Sequence, residues 1–363
     1  MKKIKGAKKM LLYILLFLIS LIVIYLIIKT VPYTPAIKGV NTIASIEKVS
    51  IGGMKQSILI RSTDTNNPIL LYLHSGPGSS EMASFRTFHP ELEKHFTVIL
   101  WDQRGTGKSF NKEVEKNGLT IDMLLDDTGE LIQYLLKRFH QDKLFLVGHS
   151  WGTALGILAT SKYSQHLYAY VGSGQEVEPA YSEKLSREYA LAEATKKNNV
   201  KAIQELSAIN ISYPYLDTKN NPNWYNDLMI ERKWLVKFGG EVYGKDNYNK
   251  FFITPLLGLS EYTLMDTIKF GQGSGFSLRS LWPQIMELNF NETNIDFKVP
   301  IFFLQGRNDF NTISKLVENY YQKIKAPSKK LIWFEKSGHH PMYEEKDLYD
   351  SILIKEVLPI AYQ

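Results

Sequence analysis

A short serine motif flanked by glycines constrains the fold of this 363-residue chain more than any other feature. Gly148-His149-Ser150-Trp151-Gly152 follows the apolar run Leu144–Val147 and precedes Thr153–Ala159, whose small residues favour a helix. A serine on a tight strand-to-helix turn stands clear of the sheet, and the glycines let strand and helix approach without a Cβ clash. Backbone N–H groups at the helix N-terminus can stabilise an oxyanion. The motif therefore predicts Ser150 as a nucleophile.

Buried apolar runs alternate with helical patterns along most of the chain, which predicts an α/β fold with a mostly parallel sheet flanked by helices. Residues 121–139 have the apolar spacing of a helix. Gly52-Gly53 joins the first two predicted strands in a hairpin. The other predicted strands are single buried runs. In chain order the predicted strands are Ala44–Ser50, Gln56–Arg61, Ile69–Leu73, Thr97–Trp101, Leu144–Val147, Val299–Leu304 and Leu331–Phe334.

The pattern changes between residues 176 and 297. This stretch is rich in Tyr, Asn, Lys and Glu, and it has weak helical periodicity without an obvious buried strand. It predicts an inserted helical cap over 176–297. The core of the fold would then consist of 40–175 together with 298–363.

A serine nucleophile needs a base, and the base needs an acid to orient it. His339 follows a predicted strand in Ser337-Gly338-His339-His340-Pro341, and Asp309 follows another in Gly306-Arg307-Asn308-Asp309. Both should therefore lie at the sheet edge that carries Ser150. His340 is the alternative base. His149 and His74 are interpreted as making local structural hydrogen bonds.

Two further motifs accompany the serine motif and the order Ser150…Asp309…His339. They are His74-Ser75-Gly76-Pro77-Gly78 and Asp102-Gln103-Arg104-Gly105-Thr106-Gly107-Lys108-Ser109. On these features the chain from about 40 to 363 shows a resemblance to the α/β-hydrolase superfamily, and within it to the prolyl aminopeptidase (proline iminopeptidase) group. This resemblance implies Ser150, Asp309 and His339 as the catalytic triad, and the backbone N–H groups of Gly76 and Trp151 as the oxyanion hole. Ser75 replaces a glycine of the group's first motif, and a positive φ there would be strained.

The resemblance also implies a substrate class. In prolyl aminopeptidases, acidic cap residues bind the free α-amine of the substrate. Glu176, Glu178, Glu183, Glu188, Glu231 and Glu241 are among the acids available in the insert here, and Glu231 is the first choice. Trp151 would form one wall of a small apolar pocket. We therefore expect a serine hydrolase, an aminopeptidase that releases an N-terminal, proline-type residue from short peptides. An esterase, lactonase or amidase, or a non-catalytic sensor module, are the alternatives.

The first 39 residues predict a membrane anchor. Residues 1–9 are basic, and 10–28 are 19 residues without a charge, long enough as a helix to match a hydrocarbon core of about 30 Å. Because positive charge stays cytoplasmic, we expect a single-pass transmembrane helix in the cell membrane, a spacer over 29–39 and an extracytoplasmic catalytic domain. A cleaved signal peptide is the alternative, although no clear A-x-A site follows.

Composition and spacing argue against several other classes. The absence of cysteine excludes disulfides, thiolate metal sites and a cysteine nucleophile. The six lysines among residues 1–29 account for the formal net charge of +6, so composition predicts no basic nucleic-acid-binding face. Gly107-Lys108-Ser109 lacks the first glycine of a phosphate-binding loop, because Asp102 stands there. His339 and His340 are adjacent rather than one helical turn apart. We predict no metal and no cofactor.

Overall fold

A hairpin and a series of parallel strands form the central sheet. The structure is a computed structural model that describes residues 2–258 and 260–363, with side chains described for all of these except 2–8, 22 and 26–28. Within this part of the chain, the strands of the sheet are β1 (Ile43–Ile51), β2 (Met54–Ser62), β3 (Ile69–Leu73), β4 (Thr97–Asp102), β5 (Leu144–His149), β6 (Leu167–Ser173), β7 (Ile301–Gly306) and β8 (Lys329–Phe334). Their spatial order is β1-β2-β4-β3-β5-β6-β7-β8.

Helices connect the strands and cover the sheet. The described helices are α1 (Lys2–Ile28), α2 (Met82–Phe88), α3 (Lys112–Asn117), α4 (Ile121–Phe139), α5 (Trp151–Tyr163), α6 (Pro179–Lys196), α7 (Val200–Ala208), α8 (Trp224–Lys237), α9 (Ile253–Gly258), α10 (Leu264–Met286), α11 (Phe290–Thr293), α12 (Ser314–Lys323), α13 (Pro341–Glu344) and α14 (Lys346–Ile352). Short 3₁₀ turns lie at Leu92–Lys94, Gly107–Ser109, Ser164–His166 and Leu358–Tyr362, and a π turn lies at Leu353–Val357.

The strands from β3 to β8 pair in parallel, and β2 pairs antiparallel with both β1 and β4. Successive residues of a strand point to opposite faces of the sheet, and β3 shows this directly. Ile69, Leu71 and Leu73 pack into an apolar core that includes α4 and α5. Leu70 and Tyr72 pack into a second core that includes α2, α13 and α14. The predicted sheet, mostly parallel and covered on both faces, is confirmed.

Strand register brings the loops of the site to one edge of the sheet. Leu73 pairs with Gly148, His149 with Ser173, and Ser173 with Leu304. The loops that follow β3, β5, β6 and β7 therefore leave the sheet at the same level. In parallel α/β sheets this carboxyl edge is where ligands bind.

Sequence reasoning missed one strand of the sheet. β6 lies between β5 and β7 in the sheet and is buried except at Tyr168. Six helices, α6 to α11, occupy the described chain between β6 and β7. The longest, α10, begins with Thr263 and Asp266 capping each other's backbone N–H groups. This is the stretch for which the sequence predicts a helical cap.

The predicted membrane span is wrong. Helix α1 contains residues 10–28, but among the described residues no helix has both the length and the apolar character needed to cross a bilayer. The predicted single-pass location in the cell membrane, with an extracytoplasmic catalytic domain, is therefore not supported either, because it was inferred from that span. Of the basic segment 1–9, all but Lys9 lies outside the described side chains.

The stretch predicted as a spacer makes specific contacts with the body of the protein. Tyr33 N donates to Ser260 O at 2.9 Å, and Leu264 N donates to Lys29 O at 3.1 Å. The guanidinium of Arg61 donates to Thr34 Oγ1 at 2.6 Å. Residues 29–34 are therefore tied both to the segment before α10 and to strand β2.

Candidate active site

Ser150 lies at the turn between β5 and α5, where the backbone takes a conformation that is rare for a residue with a side chain. Its φ is 53° and its ψ is −122°, and Ser150 N donates a hydrogen bond to Ser173 O at 3.0 Å. A Cβ on Gly152 would lie 2.1 Å from Leu73 O, and one on Gly148 would lie 2.5 Å from Gly152 O. Only glycine fits at either position, and the strained turn presents the serine at the sheet edge.

The loops after β7 and β8 bring an aspartate and a histidine together. His339 Nδ1 lies 2.9 Å from Asp309 Oδ2, and both residues are buried. His339 lines the same cavity as Ser150. The structure therefore gathers the three residues that the sequence predicts as nucleophile, acid and base.

Donors that sequence reasoning missed also hold Asp309. Asn311 N and Thr312 N each donate to Asp309 Oδ1 at 2.9 Å. Two side chains donate to Asp309 Oδ2: Thr312 Oγ1 at 2.6 Å and Gln305 Nε2 at 2.9 Å. Burial alone would raise the pKa of Asp309, but His339 and these hydrogen bonds hold it below its usual value. Burial alone would lower the pKa of His339, but the Asp309 carboxylate raises it. Asn311 and Thr312 stand two and three residues after Asp309, and polar residues at these positions are typical of a turn bonded to an aspartate. This pattern could have revealed Thr312 from the sequence.

The two predicted oxyanion donors line one cavity with Ser150. Trp151 is the first residue of α5, so its N–H has no acceptor within the helix. Gly76 has a φ of +117°, in the region that favours glycine. Ser75 is not among the described residues with a positive φ, so the strain expected there does not arise.

A buried ion pair that the sequence did not reveal connects three loops of the site. Ser75 N donates to Glu81 Oε2 at 3.0 Å, and His149 Nδ1 lies 2.9 Å from Glu81 Oε1. His149 Nε2 lies 3.0 Å from the carbonyl oxygen of His339. A carboxylate and a carbonyl only accept, so each ring nitrogen of His149 faces an acceptor. The bonds of His149 are therefore not local. His74 Nδ1 lies 2.8 Å from the adjacent Ser75 O, but its Nε2 also accepts a hydrogen bond from Gln103 N at 3.3 Å, so only one of its two contacts is local.

His340, the alternative base, occupies a different environment. Its Nε2 lies 3.8 Å from Glu241 Oε2, and neither ring nitrogen has a hydrogen-bond partner. Burial lowers its pKa to about 4. Asp309 is bonded to His339 instead, and this favours His339 as the base.

Comparisons with known proteins agree with this arrangement. Residues 68–206 match the family model for the alpha/beta hydrolase fold. The chain is 31% identical over 315 residues to "Probable aminopeptidase YbaC" of Bacillus subtilis (strain 168), an alignment covering 86% of this chain and 96% of the relative. The chain belongs to the α/β-hydrolase superfamily, close to the prolyl aminopeptidases.

Two further matches support this placement. A proline iminopeptidase of Saccharolobus solfataricus is 28% identical over 302 residues, covering 82% of this chain and 86% of the relative. The crystal structure of a proline iminopeptidase-related protein from Thermus thermophilus superposes with a TM-score of 0.60 at 16% identity, covering 86% of this chain and 96% of that one. At that identity the structural match shows the fold alone. The family model and the sequence relatives show that the protein is a hydrolase.

Two cavities of this hydrolase meet at Ser150. The smaller, of about 140 Å³, is lined by the charged residues Glu176, Glu183 and Arg232. Glu183 accepts hydrogen bonds from Arg232 and, at 2.6 Å, from Tyr213 Oη. Glu176 Oε2 has no hydrogen-bond partner. The apolar wall of this cavity comes from Pro77, Trp151, Pro179, Leu228, Met229, Leu278, Trp282, Ile285 and Met286.

The sequence analysis predicted Glu231 as the carboxylate that binds a substrate amine. Glu231 does not line either cavity at Ser150. It is completely buried, and its Oε2 accepts a hydrogen bond from Arg232 at 2.6 Å. Burial raises the pKa of Glu231 to about 8. Burial, together with the Glu183 carboxylate, likewise raises the pKa of Glu176 to about 8. Of these carboxylates, Glu176 and Glu183 are the ones at the cavity.

The larger cavity has a volume of about 670 Å³ and is lined by Ser150, His339 and His340. Much of its remaining wall consists of aromatic and aliphatic side chains of the helices between β6 and β7. Among the described residues, no group of three or more His, Asp or Glu side chains is arranged to hold a metal ion. The absence of a cofactor remains a prediction.

Proposed function

We propose that this hydrolase is a serine aminopeptidase that releases the N-terminal residue of a short peptide through an acyl-enzyme. The observation that carries the proposal is the position of two carboxylates, Glu176 and Glu183, in the small cavity that opens at Ser150. The names of the relatives, aminopeptidase and proline iminopeptidase, support the same reaction.

In the proposed mechanism, Ser150 Oγ attacks the carbonyl carbon of the first residue while His339 Nε2 takes its proton. Asp309 holds the imidazole through Nδ1 and stabilises the imidazolium. The N–H groups of Gly76 and Trp151 donate to the oxyanion. His339 then protonates the departing amine nitrogen, the C–N bond breaks, and water hydrolyses the resulting ester.

The free amine of the substrate is the feature that we expect the small cavity to recognise. An α-amine has a pKa of about 8 and is largely cationic near neutral pH, and a cation leaving water needs a charged partner. Glu183 is already bonded to Arg232 and Tyr213, whereas Glu176 has an unpartnered oxygen. We therefore assign the amine to Glu176, with Trp151 as an apolar wall, in place of Glu231. Burial raises the pKa of Glu176 to about 8, but a cation bound beside it lowers that pKa, so that the acid gives up its proton to solvent and pairs with the amine as a carboxylate.

Paired substrates test this assignment. Alanyl and prolyl amides with a free amine should be cleaved far faster than their N-acetylated counterparts. Glu176→Gln should remove most of that preference while leaving simple acyl esters as substrates, because the catalytic residues are untouched. Glu188→Gln, an exposed change on the same helix as Glu183, is the matched control and should keep the preference.

Equal rates on free and acetylated amides would overturn the proposal. Activity on esters alone would favour the esterase alternative. Retention of the full preference by Glu176→Gln would leave the aminopeptidase reaction standing and would exclude Glu176 as the partner of the amine.

A further inference from the structure

Only one of the two cavities at Ser150 is lined by His339, the residue that transfers the proton in the proposed mechanism. Glu176 and Trp151 line only the smaller one, whereas His339 lines only the larger one. In a serine hydrolase the histidine that took the serine proton later gives it to the leaving group. Resting on the proposed function, this places the acyl residue in the small cavity and the leaving group in the large one.

We propose that the large cavity is a leaving-group subsite selective for an apolar or aromatic side chain in the second residue of the substrate. Its volume of about 670 Å³ lies within the range of small-molecule pockets, about 300–1,000 Å³. The small cavity has about 140 Å³. The site therefore combines a tight acyl subsite with a spacious leaving-group subsite.

Aromatic side chains around the catalytic loop form the wall of the large cavity. Phe252 packs edge-on against His340, with ring centroids 5.1 Å apart, and edge-on against Tyr248 at 5.7 Å. Phe270 lines the cavity from α10. Aromatic rings offer large contact area and edge-to-face partners to another ring, so a leaving group with a ring fits this wall.

Apolar side chains also lie exposed at the edge of the same cavity. Ile253 is 44% exposed and Tyr248 is 38% exposed, and both line the cavity. An apolar leaving group would cover this surface, and the removal of apolar area from water favours binding.

The cations that line the large cavity already have carboxylate partners. Arg232 is bonded to Glu183 and Glu231, and Lys233 is bonded to Glu205. An acidic leaving group would have to compete with these pairs. The lining also includes Glu241, whose Oε1 accepts a hydrogen bond from Asn311 Nδ2 at 3.1 Å, so an acidic leaving group would meet a like charge as well. Contact with the apolar wall is therefore the main interaction that this cavity offers to the second residue.

Dipeptide amides with the same bond to break test the proposal. We expect alanyl-phenylalaninamide to exceed alanyl-glycinamide in kcat/KM by at least about tenfold, the scale of discrimination that an apolar pocket provides. Phe252→Ala should reduce this ratio several-fold. Ile253→Ser, at an exposed position that leaves the core intact, should reduce it as well. Met265→Ala, an exposed change on α10 outside the cavity, is the control and should leave the ratio unchanged.

An ester pair separates this proposal from the amine recognition of the proposed function. N-acetylalanine benzyl and methyl esters lack a free amine and differ only in the alcohol, so a benzyl preference that falls in Ile253→Ser supports the subsite even if peptides are not cleaved. Equal kcat/KM for the phenylalanine and glycine amides, or a preference for an aspartate leaving group, would overturn the subsite while leaving the aminopeptidase reaction intact.

Discussion

Replacing Glu81 by glutamine should destabilise the fold strongly, because one buried carboxylate holds together the loops of the site. Glu81 accepts hydrogen bonds from Ser75 N, from His149 and from the hydroxyl groups of Tyr72 and Tyr343, at 2.9–3.1 Å. All four partners are donors. An amide has only one accepting oxygen, so Glu81→Gln turns its NH₂ group toward donors and leaves the buried His149 ring without its carboxylate partner.

The expected magnitude follows from the pKa of Glu81. Burial alone would raise this pKa, but His149 lowers it to about 2 from an ordinary value of 4.5. A difference of that size corresponds to about 3 kcal/mol of stability at pH 7, at 1.36 kcal/mol per pH unit. Removing one member of a buried ion pair costs a similar amount, about 3–5 kcal/mol. We therefore expect Glu81→Gln to lose about 3 kcal/mol of unfolding free energy at pH 7.

Because the folded-state pKa of Glu81 is depressed, its contribution is complete above about pH 4.5 and is lost as the pH falls toward about 2. Urea unfolding at pH 7 and at pH 3.5 should show the difference between wild type and Glu81→Gln shrinking from about 3 to about 2 kcal/mol. Glu91→Gln, at an exposed carboxylate in the same connection between β3 and β4, is the control and should change stability by less than about 0.5 kcal/mol. A Glu81→Gln variant as stable as the wild type at pH 7 would refute this reasoning.

Two further predictions concern the acid–base pair. Because Asp309 raises the pKa of His339 above its usual 6.5 and a general base must be neutral, kcat/KM should fall as the pH drops through a value above 6.5. Asp309→Asn should shift this acidic limb of the pH profile to lower pH. An unshifted limb would argue against the pairing of His339 with Asp309. Thr312→Val removes the hydroxyl that donates to Asp309 at 2.6 Å, which should cost about 1 kcal/mol of unfolding free energy and lower kcat more than it changes KM; unchanged kcat would show that Thr312 does not position the pair.

The parts of the site that are local in sequence could be predicted from it. The glycines around Ser150 follow from the close packing of β5, β3 and α5, and the positions of Asp309 and His339 follow from their place after buried strands. β6 was not predicted because its sequence, Leu-Tyr-Ala-Tyr-Val-Gly-Ser, mixes small, aromatic and polar residues rather than forming a continuous aliphatic run.

The remaining features depend on contacts between distant segments. Glu81 and His149 are 68 residues apart in the sequence, and nothing in either local pattern indicates that they pair. Glu231 is removed from the cavities by the packing of α8 against α6, where Arg232 bridges Glu231 to Glu183. Apolar composition alone predicted a membrane span over 10–28, which the described helices do not support.

The central claim is that Ser150 is a nucleophile activated by His339 and Asp309, and covalent labelling tests it most directly. A fluorophosphonate transfers a phosphonyl group to an activated serine, and peptide mapping by mass spectrometry identifies the labelled residue. We predict one phosphonyl group per chain, on Ser150, with activity lost in proportion to labelling and no label on Ser150→Ala. A fully active Ser150→Ala protein, or loss of activity with the label on a different residue, would contradict the account.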